Sequence, residues 1–134
     1  MSDYIYQLND DQTRLTVTSS LDAFHARMHW PATADVSRRA CLLAGRPVRC
    51  EVIDPQSDNV CVYAVTAETR PAYVADANYR IAAERQRELE DRLVQERSLD
   101  DDTPTFRIYA ESAEWRAASA ETTRAYEALQ QHGA

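Results

Sequence analysis

The sequence contains no lysine, and all fifteen of its basic residues are arginine. Glycine is almost missing as well, with only Gly45 and Gly133. A phosphate-cradling loop and a G-x-S-x-G nucleophile elbow both need glycines at fixed spacing, so those nucleotide-binding and hydrolase classes are excluded. Cysteine occurs three times, an odd number that rules out a complete disulfide framework and fits a reducing cytoplasm. No stretch approaches the roughly 18 apolar residues of a membrane span, and the opening MSDYIYQLNDDQ has no basic segment followed by an apolar run. These features predict a cytoplasmic chain that is neither exported nor membrane-embedded.

What is present is acid. Twenty-two Asp and Glu against fifteen arginines give a net charge of −7 over 134 residues, most of it from Glu68 onward. Such a surface attracts basic proteins and repels nucleic-acid phosphates, which disfavours direct nucleic-acid binding. The length suits one domain, spanning residues 1–134, with a core large enough to fold unaided.

The stretch Pro47 to Glu68 organises the rest. Val48, Cys50 and Val52 alternate with Arg49 and Glu51, as in a half-buried strand. Pro55, Ser57, Asp58 and Asn59 predict a turn, and Val60–Thr66 is apolar at nearly every position, as in a central strand covered on both faces. Tyr4, Tyr6 and Leu8, followed by Leu15 and Val17, predict an N-terminal hairpin. Leu21, Phe24 and Met28 predict a helix from Ser19 or Ser20 to Trp30. Val36, Ala40 and Leu43 predict a second, capped by Thr33 or Asp35 and stopped at Gly45. A long helix begins between Arg70 and Asp76 and runs to about Arg97. Phe106 to Tyr109 alternate as in a short strand, and Ser112 caps a final helix striped by Trp115, Ala118, Thr122, Ala125 or Tyr126, and Leu129. The expected fold is therefore α+β in the order ββααββαβα, an antiparallel sheet of about five strands with helices on one face.

Three groupings bear on chemistry. Asp22, His25 and His29 fall at i, i+3 and i+7 on one helix edge, permissive for a metal-dependent enzyme or sensor, although HExxH is absent and histidine is common at the border of an apolar stripe. Cys41, Cys50 and Cys61 read as buried packing residues because nothing nearby would stabilise a thiolate. Arg38 and Arg39 on the second of two adjoining helices are thin support for a helix-turn-helix in an acidic chain. No cofactor is predicted.

The long helix supplies the remaining signal. Glu84, Glu88, Glu90, Asp91 and Glu96, with Asp100, Asp101 and Asp102 beyond it, form an acidic ridge suited to a basic groove. A ridge of this kind also serves solubility alone. It points to a non-enzymatic interaction protein, of the class of small acidic phage or mobile-element inhibitors such as anti-CRISPR proteins, that blocks a nucleic-acid-handling host complex. A self-associating regulatory module, a homodimer pairing long helices through Ile81, Leu89 and Leu93, is the other protein-binding expectation.

Overall fold

The computed structural model describes residues 4–20, 30–57, 59–97 and 102–132, with side chains at 55–57 left aside. The first predicted helix, residues 21–29 with Asp22, His25 and His29, lies outside the described residues. The chain forms two compact units, Met1–Thr69 and Arg70–Ala134.

The first unit is built on a four-stranded antiparallel sheet ordered β1-β2-β4-β3, from β1 (Tyr4–Leu8), β2 (Arg14–Ser19), β3 (Val48–Ser57) and β4 (Val60–Ala67). Its register places Leu15 opposite Tyr63 and Val17 opposite Cys61, while Cys50 pairs with Val65. Because strand side chains alternate, Leu15, Val17, Ser19, Val48, Cys50, Cys61, Tyr63 and Val65 share one face, and all are buried. The helix α1 (Thr33–Ala44) adds Val36, Ala40 and Cys41 to this core. As expected, β4 lies inside the sheet, but Val60, Val62 and Ala64 on its other face are only half-buried.

Local chemistry accounts for the turns. The β1–β2 connection is tied by Asn9 Oδ1, which accepts from the backbone N–H groups of Thr13 and Arg14, both at 2.9 Å. Gln12 adopts the left-handed region at φ 59°, and its side chain accepts from Arg46 Nε at 2.9 Å. Gly45 closes α1 at φ 71°, where a Cβ would be strained. At the other end, Ala32 precedes α1 with no side-chain cap, so neither Thr33 nor Asp35 caps the helix as expected. Asp35 lies in the first turn instead, where its charge favours the helix dipole.

As the outer strand, β3 carries an edge that invites further pairing, and three features blunt it. Ser37 on α1 accepts from the Cys50 N–H at 3.0 Å, while Cys41 Sγ–H donates to the Val48 carbonyl at 3.1 Å. A register shift then interrupts the ladder between Val52 and Asp54. Pro55, expected in the turn, falls within β3 and lacks a donor.

The second unit comprises α2 (Pro71–Glu96), α3 (Thr105–Glu111) and α4 (Ala113–His132). Pro71 opens α2 in its first turn, and Ser112 Oγ accepts from the Trp115 N–H at 3.1 Å at the start of α4. The expected strand over Phe106–Tyr109 is incorrect, because those residues form α3, and the sheet has four strands instead of five. Alternation over four residues is too short to separate strand from helix. Here the Pro104 carbonyl accepts from Arg107 and Ile108, Arg107 pairs with Glu111 at 3.0 Å, and Tyr109 stacks on Trp115, all of which favour the helical turn. The fold is α+β with four helices among the described residues, α1 lying on the sheet.

Candidate functional site: the acidic face of the long helix

Helix α2 runs antiparallel to α4. Its seam is fixed by Tyr79 against Tyr126 (5.6 Å between ring centroids), Glu90 against Trp115 and Arg92 against Glu114. Tyr79, Ala82, Gln86, Leu89 and Leu93 follow a 3-4-3-4 spacing, matched by Trp115, Ala118, Thr122, Ala125 and Leu129 on α4. That spacing is the pattern of two helices wound together. Five of these ten positions are small or polar, and no residue of α4 is buried.

The acidic residues divide by their angle around α2. Glu84, Glu88 and Asp91 fall at i, i+4 and i+7 and share one face. Glu90 lies about 200° around the helix from Glu88. Its Oε2 accepts from Trp115 Nε1 at 2.9 Å and from Gln86 Nε2 at 3.2 Å, so it belongs to the seam. Glu84 pairs with Arg87 at 3.3 Å and Glu96 with Arg92 at 3.5 Å. Arg92 also pairs with Glu114 at 2.7 Å, and these carboxylates raise its pKa further. Glu88 and Asp91 are exposed and have no ion-pair partner among the described residues. Asp102 is exposed, whereas Asp100 and Asp101 lie outside the described residues. The structure thus brings Glu84, Glu88 and Asp91 together, turns Glu90 away and offsets Glu84 and Glu96 with arginines.

The same face changes character along the helix. Ala77 and Ile81 are buried, Glu84 is one-third exposed, and Glu88 lies open. Ile81 therefore does not lie on an open stripe, and Leu89 faces α4 beside Ala117 and Ala118. The Glu84–Arg87 and Arg92–Glu96 pairs follow from their three- and four-residue spacing in the sequence, whereas the Arg92–Glu114 pair and the Glu90–Trp115 bond between helices were missed. The matching 3-4 spacing of Leu89 and Leu93 with Ala118, Thr122 and Leu129 was the signal that the two helices pair.

The cysteines and Arg38 and Arg39 are accounted for inside the first unit, while Asp22, His25 and His29 lie outside the described residues. All three cysteines are free and buried, and burial pushes the Cys50 thiol up to about 11, away from the thiolate a nucleophile needs. Burial likewise pushes the Tyr63 phenol up to about 12, although Trp30 Nε1 donates to its oxygen at 2.7 Å. Arg38 pairs with Asp35 at 2.8 Å, and Arg39 lies 5.5 Å from the Tyr6 ring centroid. Among the described residues no three His, Cys, Asp or Glu side chains converge as metal ligands, and no helix is long and apolar enough to cross a membrane.

No protein-family model, curated protein or solved structure matches the chain.

Proposed function

We propose that the protein is a non-enzymatic interaction module whose acidic α2 face occupies an arginine- or lysine-rich groove of a nucleic-acid-handling complex. It acts there as a competitive inhibitor, in the manner of small acidic phage or mobile-element proteins of the anti-CRISPR class. The observation that carries this reading is the Glu84–Glu88–Asp91 face with two carboxylates unpaired. Seven residues of helix place these three charges over about 10 Å. One strand of a DNA duplex carries a phosphate about every 3.4 Å of axis, so the three charges, about 5 Å apart, span about the length of four phosphates.

The test is affinity capture on the intact protein from a lysate of its source, at low and high salt, with mass spectrometry of the eluate. One nucleic-acid-binding complex is expected at low salt, lost at high salt and lost in Glu88→Arg/Asp91→Arg. Retention of that complex by the charge-reversed protein overturns the reading.

A further inference from the structure

The two outer strands of the sheet are not treated alike. The β3 edge is blunted by Ser37, Cys41, a register shift and Pro55. The other outer strand, β1, has no proline and no charged residue, and its ladder with β2 runs without a shift. Tyr4, Ile5 and Tyr6 are residues that favour strands. The register also fixes where its backbone groups point. Asn9 N–H donates to the Arg14 carbonyl at 3.1 Å and Ser19 N–H to the Asn59 carbonyl at 2.8 Å, so Ile5 and Gln7 are the residues that exchange hydrogen bonds with Thr18 and Thr16 of β2. Tyr4, Tyr6 and Leu8 therefore turn their N–H and C=O groups outward, and those of Tyr6 and Leu8 meet no partner among the described residues. Between them the Ile5 side chain is 56% exposed.

We infer that β1 pairs antiparallel with β1 of a second copy of the chain, joining the two sheets into one. Tyr6 is both the middle residue of the strand and an outward-facing one, so a twofold axis there lets it exchange both main-chain hydrogen bonds with its own copy. The same axis sets Leu8 opposite Tyr4, and Ile5 opposite the stem of Gln7, which covers an exposed apolar side chain. A second copy suits this edge for three reasons. The strand carries no charge, so pairing it with itself sets no like charges opposite one another. The charges that act on Tyr6 from α1, Arg39 and Asp35, are of opposite sign. Pairing β1 with β1 also uses both unprotected edges at once and leaves only the blunted β3 edges outside, so the assembly closes at two chains. The inference concerns the sheet unit and does not depend on the acidic face of α2 having a partner.

The test is sedimentation and residue-resolved amide hydrogen exchange of the full chain from about 5 to about 500 µM, at low and high salt. The average mass is expected to rise from one chain toward two with concentration. Over the same range the Tyr6 and Leu8 amides should gain at least about threefold in protection, whereas those of Ile5 and Gln7, bonded to β2, should be protected already at the lowest concentration. Each copy carries a net charge of −7, so salt screens repulsion and pairing should hold or tighten from about 50 to about 500 mM. Ile5→Glu brings like charges together across the axis and should weaken pairing at least about tenfold. Thr66→Glu, the same charge change at an exposed site of β4 opposite Arg49, should leave pairing intact, with circular dichroism confirming that each variant is folded. A monomer at 500 µM overturns the inference, as does a mass beyond two chains. A dimer in which the Tyr6 and Leu8 amides stay unprotected overturns it by placing the contact elsewhere, and so do equal effects of Ile5→Glu and Thr66→Glu. Loss of the captured complex with pairing retained would reject only the inhibitor reading, and the converse only the dimer.

Discussion

The sheet unit and the helical unit bury their residues very differently. In the first, Leu15, Val17, Val36, Ala40 and Val48 are wholly removed from solvent, and even the edge of β3 is capped by Ser37 and Cys41. In the second, burial among the described residues is confined to Ala75, Ala77, Ile81 and Ala82 in the first half of α2. What joins α2 to α4 further along is a seam of half-buried leucines (Leu89, Leu93 and Leu129) mixed with alanine, threonine and glutamine, with aromatic contacts and surface ion pairs. Apolar burial drives folding, whereas exposed ion pairs contribute little. The comparison therefore assigns stability to the sheet unit and leaves the helical unit as a surface.

The widest expected effect breaks the sheet unit. Leu15→Ala leaves a cavity in a fully buried site and should cost about 2 to 5 kcal/mol in urea denaturation. Alkaline pH should weaken the same core by a smaller amount. Cys50 and Tyr63 keep their protons in the folded state to about 11 and about 12, while in the unfolded chain they ionise nearer 9 and 10. The unfolded state releases its protons first, so stability should hold below about pH 9 and fall between about 9 and 12. The loss is on the order of 2 kcal/mol per group, and it should shrink in Cys50→Ala or Tyr63→Phe.

In the helical unit Trp115→Ala removes the Tyr109 stack and leaves Glu90 without its indole donor. It should cost about 1 to 3 kcal/mol, read as lost helicity with the near-ultraviolet signal of Trp30 and Tyr63 unchanged. Arg92→Ala should have the smallest effect, with no resolvable shift in the denaturation midpoint at high salt, because its ion pairs are open to water. A large effect of Arg92→Ala, or a negligible one of Leu15→Ala, would erase the contrast between the units.

How far the sequence could be read follows the same division. Alternation at Tyr4, Tyr6, Leu8, Leu15 and Val17 was enough for the first hairpin, and Gly45 and Pro71 marked helix ends through constraints that act within one or two residues. Local rules were not enough at Phe106–Tyr109, where Pro104 and the stack on Trp115 select a helix over a strand of the same alternation. Nor were they enough for β3, whose register shift carries Pro55 into the strand. The acidic face was legible only in outline. Counting acids along α2 found Glu84, Glu88 and Asp91, but Glu90 turns to an indole 25 residues away, and Arg92 is shared with Glu114 22 residues away. Such long-range pairings leave no mark in the spacing of either helix alone.

Native-state amide hydrogen exchange resolved by residue tests the contrast most directly. The account predicts that Leu15, Val17 and Tyr63 exchange only through global unfolding, while amides in the middle of α4, such as Ala120 and Arg124, exchange at least about 100-fold faster. Protection of Ala120 and Arg124 equal to that of Val17 would contradict it, and would make the helical unit as much a part of the stable core as the sheet.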